Sequence, residues 1–296
     1  MQRWELRKFY KYSLFFLLLS PLILYLALFF LYPLALLFYL SLTKFDYISG
    51  VRHFVGLTNY IDILQDPETY LYILRTFLYT LVVVSFSFLL GLGYSIFVYS
   101  IKSRIANTMI RMIIVLPMLI MPVAGAVIWS FLLSSHYGWI NFLLESLGFQ
   151  RQVWLLTPYA FWWVMLVDIW GWSPYVFLIM YASLQQIPQS VLEASELDGA
   201  TSFKKYRYIV LPILKPLIYI TLTLKTIDTY RAFDYIWVMT GGGPGRSSTT
   251  LNIITYITAI QLLNFEKASA YGVLTMLFPF LFIVFYLIFW KVKGIE

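Results

Sequence analysis

Cysteine is absent from the 296 residues, which excludes disulfides, thiolate metal sites and a cysteine nucleophile. Histidine is scarce: His53 and His136 are the only two, too few for a histidine-built metal cluster. Charged residues make up 12% of the chain, against about 25% in an ordinary soluble domain. No Gly-x-x-x-x-Gly-Lys-Ser/Thr phosphate loop occurs. The stretch Gly241–Gly245 is glycine-rich but lacks that lysine, and it reads as a chain break. The chain is therefore not expected to hydrolyse ATP itself.

Apolar residues are plentiful, at 61%. A soluble protein of this composition would expose large apolar patches and aggregate. Here they fall in long blocks, and a membrane-spanning helix needs about 20 mostly apolar residues. Six blocks qualify: Leu14–Leu40, Ile73–Tyr99, Met112–Leu133, Pro158–Ser183, Pro216–Met239 and Tyr271–Trp290. Most show no polar face of the kind a soluble bundle needs. The first follows Arg3, Arg7, Lys8 and Lys11 like a signal peptide, but it is too long and no small-residue cleavage site follows. It reads as a retained span. The expectation is an all-α polytopic membrane protein of six transmembrane helices.

Lys and Arg in the connections set the orientation. With the N-terminus inside, the inner segments hold Arg3, Arg7, Lys8, Lys11, Lys102, Arg104, Arg111, Lys204, Lys205, Arg207, Lys215, Lys291 and Lys293. The outer segments and helix mouths hold Lys44, Arg52, Arg75, Arg151, Arg246 and Lys267, which is 13 against 6. Both termini are thus expected in the cytoplasm, with residues 1–13 a cytoplasmic tail and 14–296 the membrane domain. The net charge of +7 reflects this bias, so no nucleic-acid partner is called for. The outer segment 41–71 carries Gly50, Gly56 and Pro67 as breakers. Segment 134–157 holds an expected interfacial helix, Trp139–Leu147. Segment 240–270 holds Thr250–Leu263, a re-entrant or surface helix too short for a seventh span.

The most informative inner segment is 184–216. Pro188 suits a first helical position. Residues 189–197 form a short helix with Val191, Leu192 and Ser195 on one face, and Gly199 is placed to end it. Thr201 or Ser202 can cap a second helix, and Pro212 and Pro216 bend or start the return to the membrane. One reading is a solvated loop. The other is a docking element, because the segment is long for a turn and its apolar face needs something to pack on.

The fifth block carries Lys225, Asp228, Arg231 and Asp234 at three-residue steps, and the fourth carries Asp168. Charges within a bilayer are costly and pair with one another or line a polar path. Lys225 and Asp228 are expected to pair, while Arg231 and Asp234 approach the outer mouth. On one straight helix Lys225 and Asp234 point to opposite sides. An ion-gradient carrier working through Asp228 is one alternative function, and a carboxylate-based membrane enzyme another. No convincing carboxylate pair supports the enzyme.

The run Glu193-Ala194-Ser195-Glu196-Leu197-Asp198-Gly199-Ala200, followed by Phe203, Ile209, Leu211-Pro212 and Pro216, resembles the signature loop of binding-protein-dependent ABC importer permeases. Ser195 stands where that pattern usually has Ala. The segment Phe54-Val55-Gly56-Leu57-Thr58-Asn59-Tyr60 is similar to one in sugar permeases. Phe233-Asp234, Ile236, Thr240-Gly241-Gly242-Gly243-Pro244 and Thr249-Thr250-Leu251 resemble the larger-type subunit of the maltose and glycerol-phosphate importer group, which usually has one Gly fewer there. The chain shows neither the extra N-terminal spans nor the large insertion of some such subunits, so it resembles the compact six-span version.

The resemblance implies the type I importer architecture and a multi-pass protein of a bacterial or archaeal cell (inner) membrane. It implies a sugar-transporting half-pore paired with a second homologous permease, two ABC ATPase subunits that bind the ATP and Mg, and an extracytoplasmic substrate-binding protein. This chain itself is expected to bind no cofactor and no metal. Carried onto the loop 184–216, the resemblance gives Leu192, Glu193, Ala194, Asp198 and Gly199 as the element coupling to the ATPase, with Glu193 the charged contact. Sugar recognition uses aromatic platforms and hydroxyl-binding polar groups. Asp168, Trp172, Asp228, Tyr230 and Asp234 are the expected pathway residues. Tyr235 and Trp237 read as outer-interface anchors.

Overall fold

The computed structural model describes residues 17–46, 48–198 and 200–293. The expected tail 1–13 and Gly199 lie outside these. The described chain is helical except for one two-stranded sheet. It divides into two units, Met1–Asp66 with Thr255–Leu274, and Pro67–Ile254 with Thr275–Glu296.

In the first unit, α1 spans Leu17–Ser41 and contains a wide π turn at Ala27–Leu31. An antiparallel hairpin follows, β1 (Thr43–Phe45) and β2 (Arg52–Phe54), with Lys44 opposite His53. Asp46 shapes the connection by accepting from the Ile48 amide at 2.9 Å and the Ser49 hydroxyl at 2.7 Å. These bonds favour the carboxylate and hold its pKa below the ordinary value. Gly50 then takes a left-handed φ of +68°, which a side chain would resist. Helix α2 (Thr58–Gln65) is tied back by the buried Asn59, whose amide donates to the Ser41 and Thr43 carbonyls at 2.8 Å each. Arg52 pairs with the buried Glu266 at 3.1 Å. The hairpin was not expected from sequence, because its strands are only three residues long.

The second unit is organised around α3 (Pro67–Tyr99) and α7 (Ala160–Leu184), its most extensive helix pair. Ser87, Gly91 and Ser95 recur every fourth residue on α3 and share one face; both serines are fully buried. Small residues at this spacing let two backbones approach. At Gly91 a Cβ would lie 2.6 Å from Val176 Cβ and 2.8 Å from the Phe177 amide nitrogen.

The third apolar block is not one helix. Helix α4 (Arg104–Val115) is capped by Ser103, whose hydroxyl accepts from the Ala106 amide. A 3-10 turn at Leu116–Leu119 and α5 (Pro122–Leu132) follow, and the two arms meet at 95°. Pro117 and Pro122 remove backbone donors where the helix would continue. Helix α6 (Trp139–Ser146) occupies the expected interfacial segment. The loop after α7 carries α8 (Gln189–Leu197) and α9 (Ser202–Lys205). From α9 the chain runs through a π turn at Tyr206–Val210 into α10 (Leu211–Tyr230) without stopping at Pro212 or Pro216. Helices α11 (Asp234–Thr240), α12 (Leu251–Tyr256) and α13 (Phe265–Lys293) complete the chain.

The count of six spans is not reached. Among the described residues, four helical runs are long and apolar enough to cross a membrane: Leu17–Ser41, Pro67–Tyr99, Ala160–Leu184 and Phe203–Thr240, the last made of α9, α10 and α11 in succession. The bent pair α4–α5 brings the number to five if it is one span. The last expected span falls within α13, which is not among these.

Replacing Gly91 by Ala should cost about 1–3 kcal/mol through overpacking against α7. Gly93, where a Cβ would meet nothing within 4 Å, should tolerate Ala. Thermal midpoints of the two purified variants check this, and equal midpoints would contradict the close approach.

Candidate functional site

Helix α10 stops at Tyr230 although neither Gly nor Pro lies between Tyr230 and Asp234. The Arg231 and Ala232 amides turn back to the Asp228 and Thr229 carbonyls at 3.1 and 3.0 Å. The Tyr230 carbonyl accepts instead from the Asn252 side-chain amide on α12, at 2.9 Å. Irregular backbone at membrane depth is tolerated where protein satisfies it or where it lines a cavity. Both conditions hold here.

Four charged groups surround the break. Asp168, on α7, and Lys225, on α10, are 2% and 1% exposed and pair at 3.5 Å. The other Asp168 oxygen accepts from the Tyr79 hydroxyl of α3 at 2.7 Å. Lys225 Nζ also lies 3.9 Å from Asp228 Oδ2 and 5.2 Å from the centre of the Trp172 ring, a cation–π geometry. Arg231 reaches Asp228 at 3.6 Å, but as a largely exposed pair it adds little. The expected Lys225–Asp228 pairing is therefore present, with Asp168 the nearer partner.

A cavity of about 320 Å³ opens beside this cluster, lined by Pro122, Asp168, Trp172, Asp228, Thr229, Asp234, Tyr235 and the segment 231–233. A second, of about 270 Å³, is lined by Trp172, Tyr175, Leu224, Ile227, Asp228 and Arg231. Four of the five expected pathway residues thus come together. Tyr230 does not join them: it is 2% exposed and stacks on Phe278. Between Lys225 and Asp234 the regular helix is interrupted at residues 231–233. Lys225 holds Asp168, and Asp168 and Asp234 line one cavity.

Tyr235 is a wall of the cavity rather than an interface anchor. It is 5% exposed, and its hydroxyl occupies the space where a Gly171 side chain would be, 2.4 Å from that ideal Cβ. Tyr79 was missed from sequence because one of 24 tyrosines carries no local signal. Among the described residues no group of three or more His, Cys, Asp or Glu could hold a metal.

The loop 184–216 begins at the other end of α7. Helix α8 is held by Leu192, which packs with Leu184, Ile187, Val210 and Leu214, and by the buried Ser195, whose hydroxyl donates to the Leu192 carbonyl at 2.6 Å. Val191 lies outside this buried face. Lys205 clamps α8 from the next segment through Glu196 at 2.7 Å, and it holds that carboxyl below its ordinary pKa. Glu193, Ala194 and Asp198 are exposed, so they are free for a partner, whereas Leu192 is committed to the chain's own core. Leu197 and Phe203, both part of the signature run, are exposed and add an apolar contact surface.

Replacing Lys225 by Met leaves Asp168 buried without its cation and should destabilise by about 3–5 kcal/mol. Adding Asp168→Asn should recover part of the loss. Thermal unfolding of the detergent-purified protein reads both, and a Lys225→Met variant as stable as the parent would contradict a buried pair.

Comparison with known proteins follows the same lines. The profile of the family described as binding-protein-dependent transport system inner membrane component matches residues 4–292. The trehalose/maltose transport system permease protein MalF of Thermococcus litoralis is 32% identical over 282 residues, 95% of this chain and 94% of that protein. The sulfoquinovosyl glycerol transport system permease protein SmoG of Agrobacterium fabrum is 33% identical over 262 residues, 87% of this chain and 83% of that one. A chain of a bacterial ABC transporter involved in the import of the acidic polysaccharide alginate superposes with a TM-score of 0.87. It covers 99% of both chains at 20% identity, so it carries the fold alone.

Proposed function

The chain belongs to the binding-protein-dependent transport system inner membrane component family, and from that premise we propose that it forms half of a pore importing carbohydrate. It is a multi-pass permease subunit of an ABC importer, and ATP hydrolysis belongs to a separate nucleotide-binding partner. A binding protein delivers the solute.

The carbohydrate reading rests on the cavity at the helix break. Trp172, Phe233 and Tyr235 offer apolar ring faces, while Asp228, Asp234 and Arg231 offer groups that hydrogen-bond hydroxyls. The relatives named for trehalose/maltose and for sulfoquinovosyl glycerol support the same class. In this reading a second, homologous permease supplies the facing wall. Both termini lie in the cytoplasm, and α13 adds a further span. Glu193, Ala194, Asp198, Leu197 and Phe203 meet the ATPase. Leu192 keeps α8 seated so that its motion is passed to α7 and α10.

The ion-gradient carrier fares worse. Its buried charges are matched to one another, which accounts for them without ion transport.

The test is ATP-dependent uptake of labelled trehalose into vesicles carrying the complete complex and its binding protein. Leu197→Asp and Glu193→Ala should each reduce uptake roughly tenfold or more, as loss of a central contact does, while sugar capture by the binding protein is unchanged. Normal uptake in both variants would refute the coupling assignment. Uptake that persists without ATP and collapses with the ion gradient would refute the importer.

A further inference from the structure

The two cavities share a wall made of Trp172, Asp228 and Arg231. Each cavity is at or just below the small end of the range of ligand sites, roughly 300–1,000 Å³, which suits one sugar ring rather than several. Trp172 stands at the junction, with an aromatic neighbour on either side: Tyr235 in the first cavity and Tyr175 in the second.

The charges around this trough are already allocated. Lys225 is buried against Asp168 and cannot reach into either space. Arg231 is turned to Asp228. Asp234 lines the first cavity with no cation in ion-pair distance among the described residues. An arriving carboxylate or phosphate would meet two carboxylates, Asp228 and Asp234, against the single exposed guanidinium of Arg231. A hydroxyl meets no such repulsion, because it donates to Asp228 or Asp234 and accepts from Arg231.

We propose that the paired cavities form a subsite for an electroneutral oligosaccharide of at least two rings. Consecutive rings sit on either side of Trp172, and Asp234 discriminates against sugar acids and sugar phosphates. This rests on the carbohydrate reading above and adds to it a charge and a minimum length. It also separates this chain from the alginate importer whose fold it shares, because anionic cargo would meet an unneutralised carboxylate.

The test uses the assembled permease–ATPase complex in nanodiscs without its binding protein. Tryptophan fluorescence is followed against trehalose, glucose and digalacturonate, and the Trp172→Phe complex isolates the contribution of that ring. Trehalose should change the signal in the parent and not in Trp172→Phe, glucose should act more weakly, and digalacturonate should have no effect. Asp234→Lys should raise the response to digalacturonate relative to trehalose by about tenfold or more, the scale of one gained charge contact. Asp234→Asn is the milder variant, expected to move the ratio in the same direction. Equal responses to trehalose and digalacturonate in the parent, or an unchanged ratio in both Asp234 variants, would overturn the proposal. Silence toward every sugar in a complex that still takes up trehalose with ATP and the binding protein would overturn the subsite and leave the carbohydrate reading standing. Failure of the complete system to take up any sugar would overturn that reading itself.

Discussion

A charge held inside a membrane must find its counter-charge within the protein, and the Asp168–Lys225 pair is where this chain meets that requirement. Water is not available to solvate either group, so α7 and α10 must pack where the two meet. Tyr79 brings α3 to the same point by donating to the second Asp168 oxygen. Trp172 lies beneath the ammonium. Three helices are thus tied at one polar point, and the remaining wall of the cavity is arranged around it. The stripe Ser87, Gly91 and Ser95 lets α3 and α7 close up further along the same pair.

The arrangement also connects the cavity with the loop. Asp168 and Trp172 lie in the first half of α7, and α8 follows its far end. Lys225 lies towards the end of α10, and α9 precedes its start. The two helices joined by the ion pair are therefore the two that enter and leave the loop. Leu192 and Lys205 fasten α8 to both sides of that junction. Packed side chains thus run without interruption from α8 to the helices that wall the cavity.

Much of this was legible in the residues. Long apolar blocks announced four or five of the six expected spans, and Leu192 and Ser195 announced the packed face of α8, whereas Pro188 stands just before the helix and Val191 lies off that face. Asp168, Asp228 and Asp234 stood out because charged groups are expensive in lipid, and Trp172 because sugars stack on aromatic platforms. What was not legible depends on distant partners. Asn252 holds the Tyr230 carbonyl at the break from another helix, so no local Gly or Pro marked it. Tyr235 is seated by Gly171, a fit between two elements. Pro117 and Pro122 were visible, but composition alone does not give a 95° bend.

The most direct test of the account is a charge exchange at its centre. ATP-driven uptake by the assembled complex is measured for Asp168→Lys, for Lys225→Asp, and for the two combined. Each single change places two like charges together in a buried site and should abolish uptake and folded complex alike. The combination restores one charge of each sign on the same two helices, so the account predicts that assembly and measurable uptake return. Near-normal uptake in either single variant would contradict it, and so would a combination that assembles no better than the single changes.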